Sequence, residues 1–304
     1  MSRGTSIWAA VVLCLGIGST PQAATLSQVR STAIAWLESH QNSGGSWGPG
    51  DMRPLVTSEV LLALAKAGRS SGSPAVRARS WLLNQELESL DSRARAIRAL
   101  SASGVEVSRE AAELNAMGLV ADPSDCALSS TGGWGPTSET AVTSYDTALV
   151  LAAIEAAGVA VNCESTKLLE IATRQRGDKG WSGDAVPYDA QQPGESSDRT
   201  ITSEIVRALA GFSTSTWGAQ AQNLVSTGAG GSPVSAQDDT LEIASRLAAL
   251  HAVNRIDSGL ELELLNDSRL TAAGVWSDSD AFVNAIGLLA LTTKPGASFS
   301  TSCR

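Results

Sequence analysis

Histidine is nearly missing from this chain, with two in 304 residues, His40 and His251. Four cysteines accompany them and none lies in a Cys-x-x-Cys spacing. That supply argues against a zinc site of imidazole and thiolate ligands, and no metal or other cofactor is expected. No nucleophile motif supports Ser/His/Asp hydrolysis either. Aromatic residues make up only 4% of the chain. Ala, Leu and Val must then fill the core, which suits close-packed helices better than sheets. Basic residues are outnumbered, 22 against 31 acids, for a net charge of −9. This balance argues against nucleic acid or anionic lipid as the main partner.

Long apolar runs are confined to the N-terminus. Arg3, an apolar stretch over 7–17 and then Pro21-Gln22-Ala23-Ala24 have the layout of a secretory signal peptide over 1–23. The apolar part is too short to span a bilayer comfortably, and no later segment has transmembrane length. The expectation is an exported chain, periplasmic or secreted, with a net charge of −10 once Arg3 is removed and a single domain over 24–304.

What is present in abundance is repetition. TSEVLLALAKAG from Thr57 matches TALVLAAIEAAG from Thr147, and further copies begin at Ser92, Thr202, Thr240 and Ala281. Each shows apolar residues at helical spacing, with Gly68, Gly104 and Gly158 as C-terminal stops. A second amphipathic stretch precedes each copy, over 27–40, 74–88, 109–120, 165–174, 218–225 and 258–265. The chain thus reads as six helical hairpins, which must stack on their neighbours to bury both helices. The second helices are Ala-rich with few long charged side chains and are expected inside. The first helices, with Arg77, Arg79, Glu110, Glu113, Lys167 and Glu170, are expected outside. Six hairpins close on themselves as an all-α, (α/α)6 toroid with inner and outer rings.

Connections from first to second helix are mostly long and the return connections mostly short, so one face of the ring collects the irregular chain, where binding residues concentrate. Cys126 belongs to that face, whereas Cys163 and Cys303 each follow a second helix. The preferred disulfide is therefore Cys163 with Cys303, because a three-turn helix separates the faces by more than a disulfide spans. The segment after Gly158 keeps Cys126 with Cys163 open as the alternative.

The stretch WLESHQNSGGSWG places Trp36, Leu37, Gln41, Gly45 and Trp47 in the pattern aromatic-aliphatic-x3-Gln-x3-Gly-x-Trp. A second copy has Gln175 and Trp181 six residues apart with Gly180 one place late, and weaker traces lie at Trp81, Trp134 and Trp276. This pattern resembles the repeat of the terpenoid cyclase and protein prenyltransferase superfamily, which includes squalene-hopene cyclases. The resemblance implies the double-ring fold over essentially the whole mature chain. Physically, the Gln is read as capping free N–H groups of the following helix while the Trp packs beside it, so the motif is architecture.

For chemistry, the resemblance points to the Asp-x-Asp-Asp-Thr motif of class II cyclases, whose middle acid protonates an isoprenoid double bond. Here the segment reads Ala236-Gln237-Asp238-Asp239-Thr240. Asp238 is the implied donor beside Asp239, and Ala236 stands where the first acid is expected. Asp146 and Asp280 align with Asp239 as helix-start acids, which suits capping and the helix dipole. The prenyltransferase zinc ligands and the Cys-Gly-Glu-Gln segment of thioester domains are both missing. Two readings follow. In the first, a non-enzymatic exported toroid binds a protein partner or hydrophobic ligand on its acidic loop face, using Asp146, Asp280, Trp134, Trp181, Tyr188 and Trp276. The alternative is a small cyclase-like enzyme acting on an isoprenoid through Asp238.

Overall fold

The computed structural model describes residues 25–118, 132–161, 163–176, 180–182, 197–212, 240–266, 270 and 274–292. Among the described residues there are eleven α-helices and no strand beyond an isolated bridge between Trp181 and Asp198. They are α1 Leu26–Ser39, α2 Arg53–Lys66, α3 Ser73–Leu83, α4 Leu90–Ala102, α5 Ser108–Ala116, α6 Ser144–Ala156, α7 Glu164–Thr173, α8 Arg199–Leu209, α9 Thr240–Ala252, α10 Ser258–Leu265 and α11 Ala281–Thr292. The expected first helix over 218–225 and all residues before Thr25 lie outside the described set.

Local chemistry sets the ends. Thr25, Ser89, Thr143, Asp198 and Asp257 each accept a first-turn backbone N–H at a helix start, and Thr25 forms a capping box with Gln28. Gly68, Gly104 and Gly158 follow α2, α4 and α6 with φ of 75°, 87° and 69°. That left-handed conformation brings the next residue's N–H back onto Leu64, Leu100 and Ile154 respectively. Helix α3 stops at Leu83, short of the expected 88, because the Asn84 and Gln85 side chains donate to the Ser80 and Trp81 carbonyls and close the last turn.

Burial divides the helices into two classes. In α1 the buried residues are Val29, Ala33 and Leu37, and in α3 Ala75, Ala78 and Leu82, a single stripe in each case. By contrast, α2 is buried from Val56 through Leu64 and α11 from Asn284 through Thr292, so these helices are enclosed on every side. Packing follows the chain: α2 on α4, α4 on α6, α6 on α8, α8 on α9, α9 on α11, and α11 back on α2. The stripe-bearing helices lie against this set, α1 on α11, α3 on α2, α5 on α4 and α6, α7 on α6, and α10 on α9.

A clamp recurs where a surface-side helix hands over to an enclosed one. The Trp47 indole N–H donates to the Leu37 carbonyl of α1 at 2.7 Å. Its backbone N–H donates to Thr57 Oγ1 of α2 at 2.9 Å, and that hydroxyl donates to the Trp47 carbonyl at 3.3 Å. Trp134 does the same with Leu114 and Thr147, and Trp181 with Ile171 and Thr202. In the fourth copy Trp276 bonds Leu264, and Asn284 replaces the threonine, its Oδ1 accepting from the Trp276 N–H at 3.0 Å. Each tryptophan bridges two helices through its backbone and its ring at once.

Two expectations change here. Gln41 caps no N–H group: its Nε2 donates to the Gly45 and Pro74 carbonyls, both at 2.8 Å, and its Oε1 accepts from Arg77. It therefore ties the end of α1 to α3, another surface-side helix. Gly45 is required there by a φ of 94° and because a Cβ would stand 2.8 Å from the Arg77 carbonyl. At Gly180, directly before its tryptophan, a Cβ would meet Ser197 first and Thr202 Oγ1 at 2.8 Å. In that copy the glycine makes room for Ser197 as well as for the clamp hydroxyl. Cys163 is disulfide-bonded, while Cys126 and Cys303 lie outside the described residues.

Candidate functional site

The enclosed helices were expected to carry few long charged side chains. Instead, Glu59 of α2, Arg95 of α4, and Glu204 and Arg207 of α8 are all buried. Arg95 donates to Glu59, to Asp91 at 2.7 Å, to Glu204 at 3.4 Å and to the Tyr145 hydroxyl of α6. Arg207 reaches Glu59 at 3.1 Å and Glu204 at 2.6 Å. Helices α2 and α8 are not packing neighbours in the order above, nor are α4 and α8, so these pairs meet across the space between the enclosed helices.

Burial alone would raise the Glu59 pKa, but Arg207, Arg95 and Arg98 together overcome it and hold the carboxyl below its ordinary range. Arg207 is likewise opposed by burial and held above its usual value by Glu204 and Glu59. Arg98, with fewer compensating contacts, is brought down to about 10 by burial and by the charge of Arg207. A network of this kind is stable as a unit and costly to break at one member.

Two cavities lie on either side of it. A cavity of about 910 Å³ opens at the N-terminal ends of the enclosed helices. Its walls include Trp36, Met52, Leu55, Val56 and Phe282, and Arg95, Glu204, Tyr145 and Ser245 also line it. Trp36 stacks on His40 at 3.9 Å between ring centroids and 12° between planes, and both face this cavity. A second cavity of about 290 Å³ opens at the C-terminal ends, lined by Lys66, Arg98, Ser101, Glu155 and Arg207 among others. The first is mainly apolar with an ionic floor. The second carries three cations, Lys66, Arg98 and Arg207, against one acid, Glu155, among small apolar residues.

The expected site residues separate in the structure. Trp134, Trp181 and Trp276 are not on an open face: all three are fully buried, because the clamp pulls each ring into the core. Asp146 and Asp280 are not equivalent. Measured from the clamp, Asn284 occupies the Thr147 position, so the Asp280 alignment was displaced by about one helical turn. Asp146 is buried and accepts from the Thr143 hydroxyl at 2.5 Å. Burial pushes its carboxyl up to about 6 against the pull of that hydrogen bond. Asp280 is exposed, caps α11 through the Phe282 N–H at 2.8 Å, and lies on the rim of the larger cavity. Asp238, Asp239 and Tyr188 lie outside the described residues.

The sequence reading missed the network and the aromatic wall of Trp36, His40 and Tyr145. A signal was present in Arg95 with Arg98 and Glu204 with Arg207, each pair three apart on an otherwise apolar helix. Among the described residues, no group of three His, Cys, Asp or Glu side chains gathers as a metal site, and no helix is long and apolar enough to cross a membrane.

The chain matches no protein-family profile and no curated protein sequence. Among solved structures it is similar to the type II terpene cyclase MstE from Scytonema. A variant of that enzyme in complex with its product, merosterolic acid A, is 15% identical, covering 88% of this chain and 96% of that one, with a TM-score of 0.62. The apo enzyme is 16% identical, covering 88% and 98%, with a TM-score of 0.60. At that identity the likeness is one of fold: this chain has a terpene-cyclase-like helical architecture.

Proposed function

We propose that this protein is an exported (α/α)6 toroid of six helical hairpins over 24–304, following a leader over 1–23, and that it binds a small amphipathic ligand without transforming it. The closed packing order of the enclosed helices supports the toroid, and a Cys163 to Cys303 bond belongs to the same reading. The ionic floor of the larger cavity carries the functional part. A purely apolar isoprenoid filling that cavity would cover the Tyr145 hydroxyl and the unpartnered Ser245 Oγ and offer them nothing in return. An amphipathic ligand instead sets its apolar body against Trp36, Leu55, Val56 and Phe282, and its polar end hydrogen-bonds to the floor. Cyclisation through carbocations calls for aromatic faces around the reacting chain; Trp36, Tyr145 and Phe282 offer such faces, but the buried Arg95 guanidinium in the floor is poorly suited to that task.

The second reading is a class II cyclase acting on an isoprenoid through Asp238. What favours it is the likeness in fold to MstE together with the Asp238-Asp239-Thr240 segment, since Thr240 opens an enclosed helix. Asp238 would need to remain protonated, yet the positive end of that helix favours its charged form. The experiment is twofold. Mass spectrometry of solvent extracts from purified protein is expected to show a co-purified amphiphile, and incubation with squalene and linear prenyl alcohols to leave them unchanged. Cyclic products that disappear in Asp238→Asn would overturn the non-enzymatic reading in favour of the second.

A further inference from the structure

The smaller cavity lies at the opposite end of the enclosed helices from the amphiphile site, with the ionic network between them. Arg98 and Arg207 both line it, and each carries an enclosed nitrogen with no hydrogen-bond partner, Arg98 Nη1 and Arg207 Nε. Arg207 is more than nine-tenths buried. Its other two nitrogens are occupied by Glu59 and Glu204, so the orphaned Nε is the donor left over. Lys66 adds a third cation to the wall, against one lining acid, Glu155.

Buried donors on a charged group rarely go unsatisfied, because each forfeits its hydration without replacement. Two such guanidinium donors and an ammonium bordering one concavity make a setting that attracts negative charge. We propose that this cavity is a binding site for a small oxyanion, such as a phosphate, sulfate or carboxylate group, held by Arg98, Arg207 and Lys66. Its volume of about 290 Å³ accommodates an oxyanion with a few waters, each water occupying roughly 30 Å³. The carbonyl ends of α2, α4 and α6 lie at the same end and oppose an anion. That opposition is blunted because the turns at Gly68, Gly104 and Gly158 return N–H groups to those carbonyls. Glu155 also opposes it. Burial raises the Glu155 pKa, while the charges of Arg98 and Lys66 pull it down. This site is independent of the amphiphile site, since neither Arg98 nor Lys66 borders the larger cavity.

The test is calorimetric titration of the full chain with inorganic phosphate, sulfate, acetate and glycerol 3-phosphate, at ionic strength matched with chloride. Saturable binding of at least one of the four is expected, weakened at least tenfold in Arg98→Gln and in Lys66→Gln. Neither residue forms a salt bridge within the network, and circular dichroism verifies that both variants are folded. Preference for glycerol 3-phosphate over inorganic phosphate would identify a headgroup-type ester as the ligand, and the reverse order a free anion. Heats no different from chloride with all four probes, or affinity unchanged in both variants, would overturn the proposal.

Discussion

Replacing Thr57 by valine changes almost no volume and removes one hydroxyl, which isolates the part that hydroxyl plays in the clamp. Thr57 and Trp47 are both fully buried, and the hydroxyl is acceptor for the Trp47 N–H and donor to its carbonyl. With valine, both backbone groups are left in the core without that partner. A buried unsatisfied group costs about 1–3 kcal/mol, so the loss is expected at about 2–4 kcal/mol. Serine keeps the hydroxyl and deletes one methyl, for about 1 kcal/mol. The two substitutions therefore separate hydrogen bonding from packing, and the prediction is an order: parent, then Thr57→Ser, then Thr57→Val. Urea unfolding followed by circular dichroism measures it, with the midpoint carrying the difference if the slope is unchanged. The same order is expected at Thr147, whose hydroxyl makes the same pair of bonds, and at Thr202, whose hydroxyl accepts from the Trp181 N–H and donates more closely to the Asp198 carbonyl, at 2.7 Å. A Thr57→Val protein as stable as Thr57→Ser would refute the clamp as a hydrogen-bonded device and leave only hydrophobic packing of the tryptophan.

Further outcomes follow from the same geometry. Trp47→Ala is expected to cost about 3 kcal/mol or more through the cavity left behind, while Gln41→Ala costs about 1 kcal/mol in lost hydrogen bonds; denaturation midpoints compare them. Arg95→Met leaves Glu59 and Glu204 to share Arg207 in the interior and is expected to destabilise by about 3–5 kcal/mol, detectable in the same assay. Asp146 has a folded pKa raised from 3.8 to about 6, so the folded state holds a proton that the unfolded chain has released. Its contribution to stability is then lost as pH rises from about 4 through 6, and Asp146→Asn is expected to flatten that part of the stability profile. Non-reducing peptide mapping is expected to join Cys163 to Cys303, and a Cys126 to Cys163 peptide would defeat the argument from opposite faces.

Much of the fold was legible because its determinants are local. The 3.6-residue period, the Thr, Ser and Asp caps and the glycine stops act within one or two turns, so helices and their order emerge from adjacent residues. The tryptophan motif was legible as a repeat and as architecture, because its members sit within a dozen residues around α1 and its copies recur at matching places. Its hydrogen-bond roles were not: the direction in which Gln41 donates depends on the backbone of α3, placed there by packing. The helix-start acids illustrate the same limit. Asp146 and Asp280 look alike in one dimension, but a slip of one helical turn, invisible without the Trp276 to Asn284 bond, puts one in the core and the other on a cavity rim. The ionic floor was the hardest feature to foresee. Glu59 and Arg207 are 148 residues apart, and each alone reads as a misplaced charge on an apolar helix. Only closure of the packing order brings their helices face to face across the interior. Because the cost of burying a charge is cancelled by a partner's position and not by the partner's place in the sequence, the tertiary structure alone decided which charges were allowed inside.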